Sequence, residues 1–380
     1  MISDATLVYF DKYFPLLFRF GLTPFRWDAI RRTFRYSVRK GARLNVPAWW
    51  VGQVLLGVKE IFLFYQLFWV LIPAKELSPM VMQWVFIVTN WAAWWANVLL
   101  WKYRHQFCPL FEGCAQFSRN SQAEYLPLVK SPYPTDDDGL LANIKMGLFM
   151  IGLFPCCVFS LSMNYPQMSI FFSTCLTSPT PTNVFLFSLL EAYIGAYAWA
   201  ANILVITFVP NLAQLLAFWV AQIGICNHRQ RRRRDTLLAT YRQLQLLELN
   251  FNEVFSTQTF NIFFPAFFNQ TAVNYGTIRL YESLSFTAWA FCPYLSFSGA
   301  ANLFMVQNVL ASPYEASVAT LAKICWKDAD DVDDRVAKRV AKSCPPIRLR
   351  YASYKLFTKE TAPEYLDSVI DSTVTLLLWK

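Results

Sequence analysis

Apolar residues gather into seven runs, near 47–72, 80–101, 144–165, 184–209, 257–280, 284–310 and 362–380. Each is long enough to supply the roughly 20 residues of a helical membrane crossing. The polar stretches between them are uneven, some a few residues long and some several dozen. A further apolar stretch, 211–226, follows the fourth run directly, and it is read as that helix continuing. Residues 227–256 carry Leu237, Leu238, Tyr241, Leu244, Leu247 and Leu249 near helical spacing, and 313–345 also reads as largely helical. Residues 1–46 hold VYFDKYFPLLFRFGLTPF and then Arg26, Arg31, Arg32, Arg35, Arg39, Lys40 and Arg43, which predicts an amphipathic helix at a membrane surface. No secretory-signal pattern precedes the first run, so insertion is expected to rely on internal helices.

Composition agrees with this pattern. The chain is 55% hydrophobic and 16% charged, against about 25% charged in soluble domains. A net charge of +9 raises nucleic acid as a partner. That reading is excluded because the basic residues alternate with membrane-length spans, where they serve orientation. Lys and Arg number nine in 1–46, one in 73–79, four in 102–143, none in 166–183, six in 210–256, none in 281–283 and ten in 311–361. Basic and basic-poor segments therefore alternate, which predicts a cytoplasmic N-terminus and an extracellular C-terminus.

The expected fold is an all-α membrane protein with seven transmembrane helices, in the plasma membrane. Its segments are an N-terminal interfacial region (1–46), helices one to four (47–209), a cytoplasmic helical extension (210–256), helices five and six (257–310), a second cytoplasmic helical segment (311–361) and a last helix (362–380). An eighth crossing at 211–226 would break the charge alternation.

Candidate chemistry is sparse. The nine cysteines form no CxxC pair and there are two histidines, so neither a zinc site nor a disulfide framework is expected. No Walker loop, HExxH or GxSxG is present, which argues against an enzyme and against a cofactor. Arg229 and Arg231 to Arg234 read as a membrane-edge run meeting anionic headgroups. Asp136, Asp137 and Asp138 read as a solvated turn. Charges inside spans are costly and point to function. Here they are Lys59 and Glu60, a neighbouring pair able to neutralise itself, and Glu191 beside Tyr193.

Aromatic residues collect in the outer halves of the spans, among them Trp84, Phe159, Tyr165, Tyr193, Phe268, Trp289 and Tyr294. With Glu191 as a polar contact they suit a pocket for a small organic ligand. Ordinary packing and interfacial belts give the same pattern. The last run, PEYLDSVIDSTVTLLLWK, puts Glu364, Asp367 and Asp371 on one helical stripe that continues to Val374 and Leu378. Such a stripe fits a pore lining, and it also fits a buried helix with a wet inner end.

Three segments resemble the arthropod gustatory/odorant receptor superfamily. PLLFRFGLTPF (15–25) is similar to the gustatory-receptor N-terminal segment, and LLATYRQLQLLELNFNEVF (237–255) to the helix before the fifth span. The end, 351–380, is similar to the closing Thr-Tyr, hydrophobic run and Gln-Phe. Thr373 and Val374 stand for Thr-Tyr, Thr375 to Trp379 for the run and Lys380 for Gln, while the Phe has no counterpart.

The resemblance implies a homotetrameric, ligand-gated, non-selective cation channel, possible also with related co-receptor subunits. It implies that the last helix lines the pore, that cytoplasmic helices anchor the tetramer and that each subunit binds a small molecule in its outer half. Glu364, Asp367 and Asp371 would then form an acidic vestibule, and Val374 and Leu378 a hydrophobic constriction. The competing classes are a seven-helix receptor acting through a cytoplasmic partner, and a transporter using Lys59, Glu60 and Glu191 as coupling charges.

Overall fold

A computed structural model describes residues 4–31, 33–36, 45–75, 77–125, 140–176, 180–229, 234–281, 286–325, 339–340, 342–352 and 355–378. Arg39, Lys40, Arg43, the Asp136–Asp138 turn, most of the Arg229–Arg234 run, the charged stretch 326–338, and Trp379 and Lys380 lie outside the described residues.

The chain is built from long helices. Helix α1 (Asp4–Arg19) leads into a hairpin of β1 (Phe25–Asp28) and β2 (Thr33–Tyr36). Helix α2 (Asn45–Tyr65) continues through a π-helical stretch, Gln66–Leu71. Then follow α3 (Leu77–Lys102), α4 (Arg104–Tyr125) and α5 (Leu140–Asn164). Three helices are much longer, α6 (Pro181–Arg229), α7 (Arg234–Arg279) and α8 (Phe286–Cys325). A second hairpin, β3 (Arg350–Tyr351) and β4 (Lys355–Leu356), precedes α9 (Thr361–Leu378).

Over its described residues each of the seven apolar runs is helical, apart from the end residues Tyr165 and Leu280. Among the described residues, two stretches, Val46–Ala74 and Phe208–Ile225, are long and apolar enough by composition to cross a membrane. The second belongs to unbroken α6, so 211–226 continues the fourth helix. Its side chains Leu212, Leu215, Leu216, Trp219, Val220 and Ile223 are buried in the main core.

The N-terminal region differs from the surface helix expected of 1–46. It docks on the helical body through an aromatic cluster. Phe10, Phe14, Trp27 and Phe34 are buried, and Phe34 meets Phe208 of α6 at 5.1 Å and Phe111 of α4 at 5.1 Å between ring centres. Alternation in the hairpin explains this, since Phe25 and Trp27 point inward while Arg26 is exposed. The β-hairpins went unpredicted because runs of four and two residues are too short to show a period.

Phe107 of α4 joins this cluster to the bundle, touching Phe25 at 4.8 Å, Phe208 at 5.4 Å and Phe255 of α7 at 6.1 Å. Both hairpins therefore sit at one end of the molecule, and the α5–α6 loop sits at the other. From Cys344 to Ala352 the chain forms a strap along α7. Ile347 and Leu349 are buried in the main core, and Arg348 and Arg350 are exposed.

On α2, Val51, Val54, Val58, Ile61, Tyr65, Phe68 and Ile72 recur every three or four residues, and all are exposed. The opposite face buries Trp49, Leu56, Leu63, Leu67 and Leu71. A continuous apolar stripe of this length on a surface marks contact with lipid or another chain.

Candidate functional site

Helix α9 packs along one face against α7 and α8. That face buries Ala362, Val369 and Thr373, and Tyr365 beside them meets Phe267 of α7 at 6.1 Å between ring centres. Glu364, Asp367, Asp371, Val374 and Leu378 all lie on the uncovered face, in one line along the axis. The helix starts at Thr361, whose hydroxyl accepts the Thr358 N–H at 2.9 Å, and Glu364 in the first turn suits the positive end of the helix dipole. Lys355 pairs with Glu364 at 2.9 Å in an exposed contact, worth little in itself.

A polar network ties the buried face of α9 to its neighbours. Gln270 of α7 donates to the Ser296 carbonyl of α8 at 2.7 Å and to Asn274 at 3.2 Å. Ser296 in turn donates to Asn274, and Asn274 donates to Thr373 of α9 at 3.4 Å. Asn269 donates to Thr89 of α3 at 2.8 Å. A Cβ on Gly299 would lie 2.6 Å from the Gln270 side-chain oxygen, so glycine there makes room for the network. Near its far end, the Leu377 carbonyl accepts from Arg279 at 3.4 Å. The hydrogen bonds of α9 to α7 are thus long, and packing against α7 and α8 holds it in place.

The charges inside the spans form a different arrangement from a neighbouring Lys59–Glu60 pair. Lys59 of α2 reaches Glu191 of α6 at 2.6 Å, and both side chains are buried. The Lys59 ammonium also donates to the Ile170 carbonyl. It lies 4.5 Å from the Phe172 ring centre and 5.3 Å from that of Phe62, within cation–π range. Glu191 accepts a second bond, from the Phe172 N–H at 2.8 Å. One step along the loop, Ser169 donates to Gln83 of α3 at 3.2 Å. A single ion pair thus fastens the α5–α6 loop to α2 and α6. Glu60 is buried, and both its carboxylate oxygens lack a hydrogen-bond partner among the described residues.

The aromatic residues expected at a ligand site are dispersed. Phe159 meets Phe185 at 5.8 Å on the α5–α6 face. Tyr165 is exposed at the end of α5. Tyr193 is half-buried against the main core. Phe268 meets Phe264 and Phe267 of its own helix edge to face. Trp289 donates to the Thr277 carbonyl at 3.0 Å, closing α8 on α7. Trp84 and Tyr294 are exposed. No ring pair joins any two of Trp84, Phe159, Tyr165, Tyr193, Phe268 and Tyr294 among the described residues. An apolar cleft opens elsewhere, between α6, α7 and α8, lined by Val205, Val209, Ile262, Phe263, Leu303 and Val306.

Sequence reasoning singled out Lys59 and Glu191 but not their pairing, because 132 residues separate them. It missed Gln270, Asn274 and Ser296. The signal available was two amides spaced i, i+4 within an apolar run, which places them on one buried face.

Long helices packed in one bundle, an apolar stripe on α2 and a terminal helix with an uncovered acidic face define an all-helical body with two unlike exposed faces. Two solved structures of one receptor share this fold. The insect olfactory receptor OR5 from Machilis hrabei matches with a TM-score of 0.65 at 11% identity, covering 100% of both chains. The same receptor in complex with eugenol matches with a TM-score of 0.67 at 12% identity, over 98% of this chain and 100% of that one. No family model matches the sequence, and no curated protein matches it. The chain shares the fold of this insect olfactory receptor over its full length.

Proposed function

We propose that the chain is a chemosensory receptor that works as a homotetrameric, ligand-gated, non-selective cation channel of the plasma membrane. The observation that carries this reading is the uncovered stripe of α9, Glu364, Asp367, Asp371, Val374 and Leu378. Three carboxylates facing lipid would be costly. Four copies facing a common axis would place them in water and attract cations. Val374 and Leu378 further along the same line supply apolar rings able to close the path by dewetting.

In this reading the chain crosses the membrane seven times, with the hairpin end in the cytoplasm and the α5–α6 loop outside. Loop charge supports that orientation, and the α2 stripe is its lipid face. The ligand is a small organic tastant or odorant. Trp84, Phe159, Tyr165, Glu191, Tyr193, Phe268, Trp289 and Tyr294 remain its proposed contacts in the outer half. The eugenol complex of the olfactory receptor supports a ligand of that size. Opening requires that the ligand favour the open state by differential affinity.

The test is current from the purified full-length chain in a planar bilayer, with no G protein added, across a panel of small organic compounds. Cation current evoked by one of them is the expected outcome. A panel without current, together with cytoplasmic staining of a C-terminal tag, would replace this reading with a receptor that signals through a partner.

A further inference from the structure

We propose that the turn between α3 and α4 holds the headgroup of an anionic phospholipid of the inner leaflet. The Arg104 guanidinium contacts its phosphate, and Trp50 with the α2 stripe forms the bed for its acyl chains. The site rests on the membrane placement proposed above and not on the chain conducting ions. Arg104 folds back over the turn at Tyr103. Its Nη1 donates to the Trp101 carbonyl at 2.8 Å, which satisfies the end of α3. The guanidinium carbon lies 4.7 Å from the Trp101 ring centre and 5.3 Å from that of Tyr36 in β2. Both distances are within cation–π range. The rings that hold it are fixed in turn, since Trp101 stacks on buried Trp49 at 5.0 Å and meets Tyr36 at 5.4 Å.

This guanidinium has donors left to give. Its Nε is buried and has no hydrogen-bond partner among the described residues. No described carboxylate lies within ion-pair distance of it. Asp28, the acid of the same hairpin, is taken by Arg35 at 3.1 Å. Lys102 and His105 flank Arg104 and are exposed, with His105 set against Tyr36 at 5.8 Å. A basic and aromatic belt alone would orient the helices. It would not need one guanidinium clamped in a fixed plane with unused N–H groups. That arrangement fits a phosphate, which takes the arginine fork through paired, charge-assisted bonds.

Continuity with α2 makes the occupant a lipid. Trp50 is 45% exposed and meets Trp101 at 5.2 Å. Val54 lies one turn beyond Trp50, and Val58 and Ile61 continue the same exposed face. A molecule leaving Arg104 therefore meets aromatic rings first, then a half-exposed indole, then an aliphatic stripe. The order of cation, aromatic and aliphatic surface matches phosphate, glycerol and acyl chain. A free phosphate would use only the first of these.

Native mass spectrometry of the detergent-purified full chain tests this, with dioleoyl phosphatidylserine and dioleoyl phosphatidylcholine titrated separately. The expected result is tighter binding of phosphatidylserine. Arg104→Gln should weaken its tightest site about tenfold or more, the loss expected for hydrogen bonds to a charged group. Arg104→Lys keeps the charge and loses the fork, so it should weaken that site too. Arg19→Gln, at an exposed cation ending α1, should leave it unchanged. Equal affinity for the two lipids, an Arg104→Lys variant that binds like the wild type, or displacement of the lipid by inorganic phosphate would overturn the inference alone. Binding of neither lipid would overturn it together with the membrane placement. If the Arg104 variants do not fold, Trp50→Ala serves instead. It should weaken phosphatidylserine binding, and unchanged affinity would count against the site.

Discussion

The exposed face of α2 and the exposed face of α9 share a helical spacing and differ in chemistry. On α2 every position from Val51 to Ile72 in the stripe is apolar. On α9 the first three positions are Glu364, Asp367 and Asp371, and only then come Val374 and Leu378. A face that is apolar throughout suits lipid, whereas a face that changes from acidic to apolar suits water leading to a dry constriction. The hidden faces differ too. Helix α2 buries Trp49 and a run of leucines, and it is fixed by the Lys59–Glu191 pair at 2.6 Å. Helix α9 buries Ala362, Val369 and Thr373 and packs Tyr365 on Phe267, with hydrogen bonds of 3.4 Å through Asn274 and Arg279. One helix is built as a wall pinned by a buried charge pair, and the other is held on α7 and α8 by packing with no such pin among the described residues.

Breaking the wall should have the largest effect. Lys59→Met leaves Glu191 buried without its cation, and removing one partner of a buried pair costs about 3–5 kcal/mol. Thermal unfolding followed by size-exclusion fluorescence should show a large drop in melting temperature. The double variant Lys59→Met/Glu191→Met should recover much of it, since an apolar replacement of both charges is often neutral. A single variant as stable as the wild type would deny the pair its role.

Ile61→Asp tests the outer face of α2 directly. A carboxylate at the centre of a membrane helix costs about 2.5–3.5 kcal/mol. Yield of folded protein from membranes should fall severely. Normal yield would mean that this stripe meets water. The inner face of α9 should be more tolerant. Thr373→Val removes the long bond from Asn274 and the hydroxyl's own bond to the Val369 carbonyl within α9, at about 1 kcal/mol each, so the chain folds but α9 loses a tie to α7. An altered fraction of open time is the expected electrophysiological result.

Least effect on stability is expected from Asp367→Asn and Asp371→Asn, within about 0.5 kcal/mol, as for exposed substitutions in general. Their effect should instead appear as reduced single-channel conductance or altered divalent permeation. Unchanged permeation in both would take the acidic stripe out of the ion path and leave α9 resembling α2 in all but composition.

Long apolar periodicity was legible in the sequence. It located the long helices except α4 (Arg104–Tyr125), whose 22 residues lay in a stretch read as a connection between spans, and the direct sequel of 184–209 into 211–226 is visible in the structure as the unbroken α6. The acidic stripe of α9 was legible because all five residues belong to one helix. What depends on distant parts of the chain was not. Lys59 was read against Glu60, its neighbour, but its partner Glu191 lies on another helix. The strap gave no helical or strand period, since its bonds go to side chains of α7 such as Asn252 rather than to a sheet. The N-terminal aromatics read as a surface helix because their partners, Phe107, Phe111 and Phe208, are contributed by α4 and α6.

The central claim is that the uncovered face of α9 lines a shared path. A cryo-electron-microscopy reconstruction of the full-length chain in lipid nanodiscs tests it most directly. The account predicts four copies around one axis, with Asp371, Val374 and Leu378 of each facing that axis. A monomer, or an assembly with α9 on its lipid-facing perimeter, would contradict it.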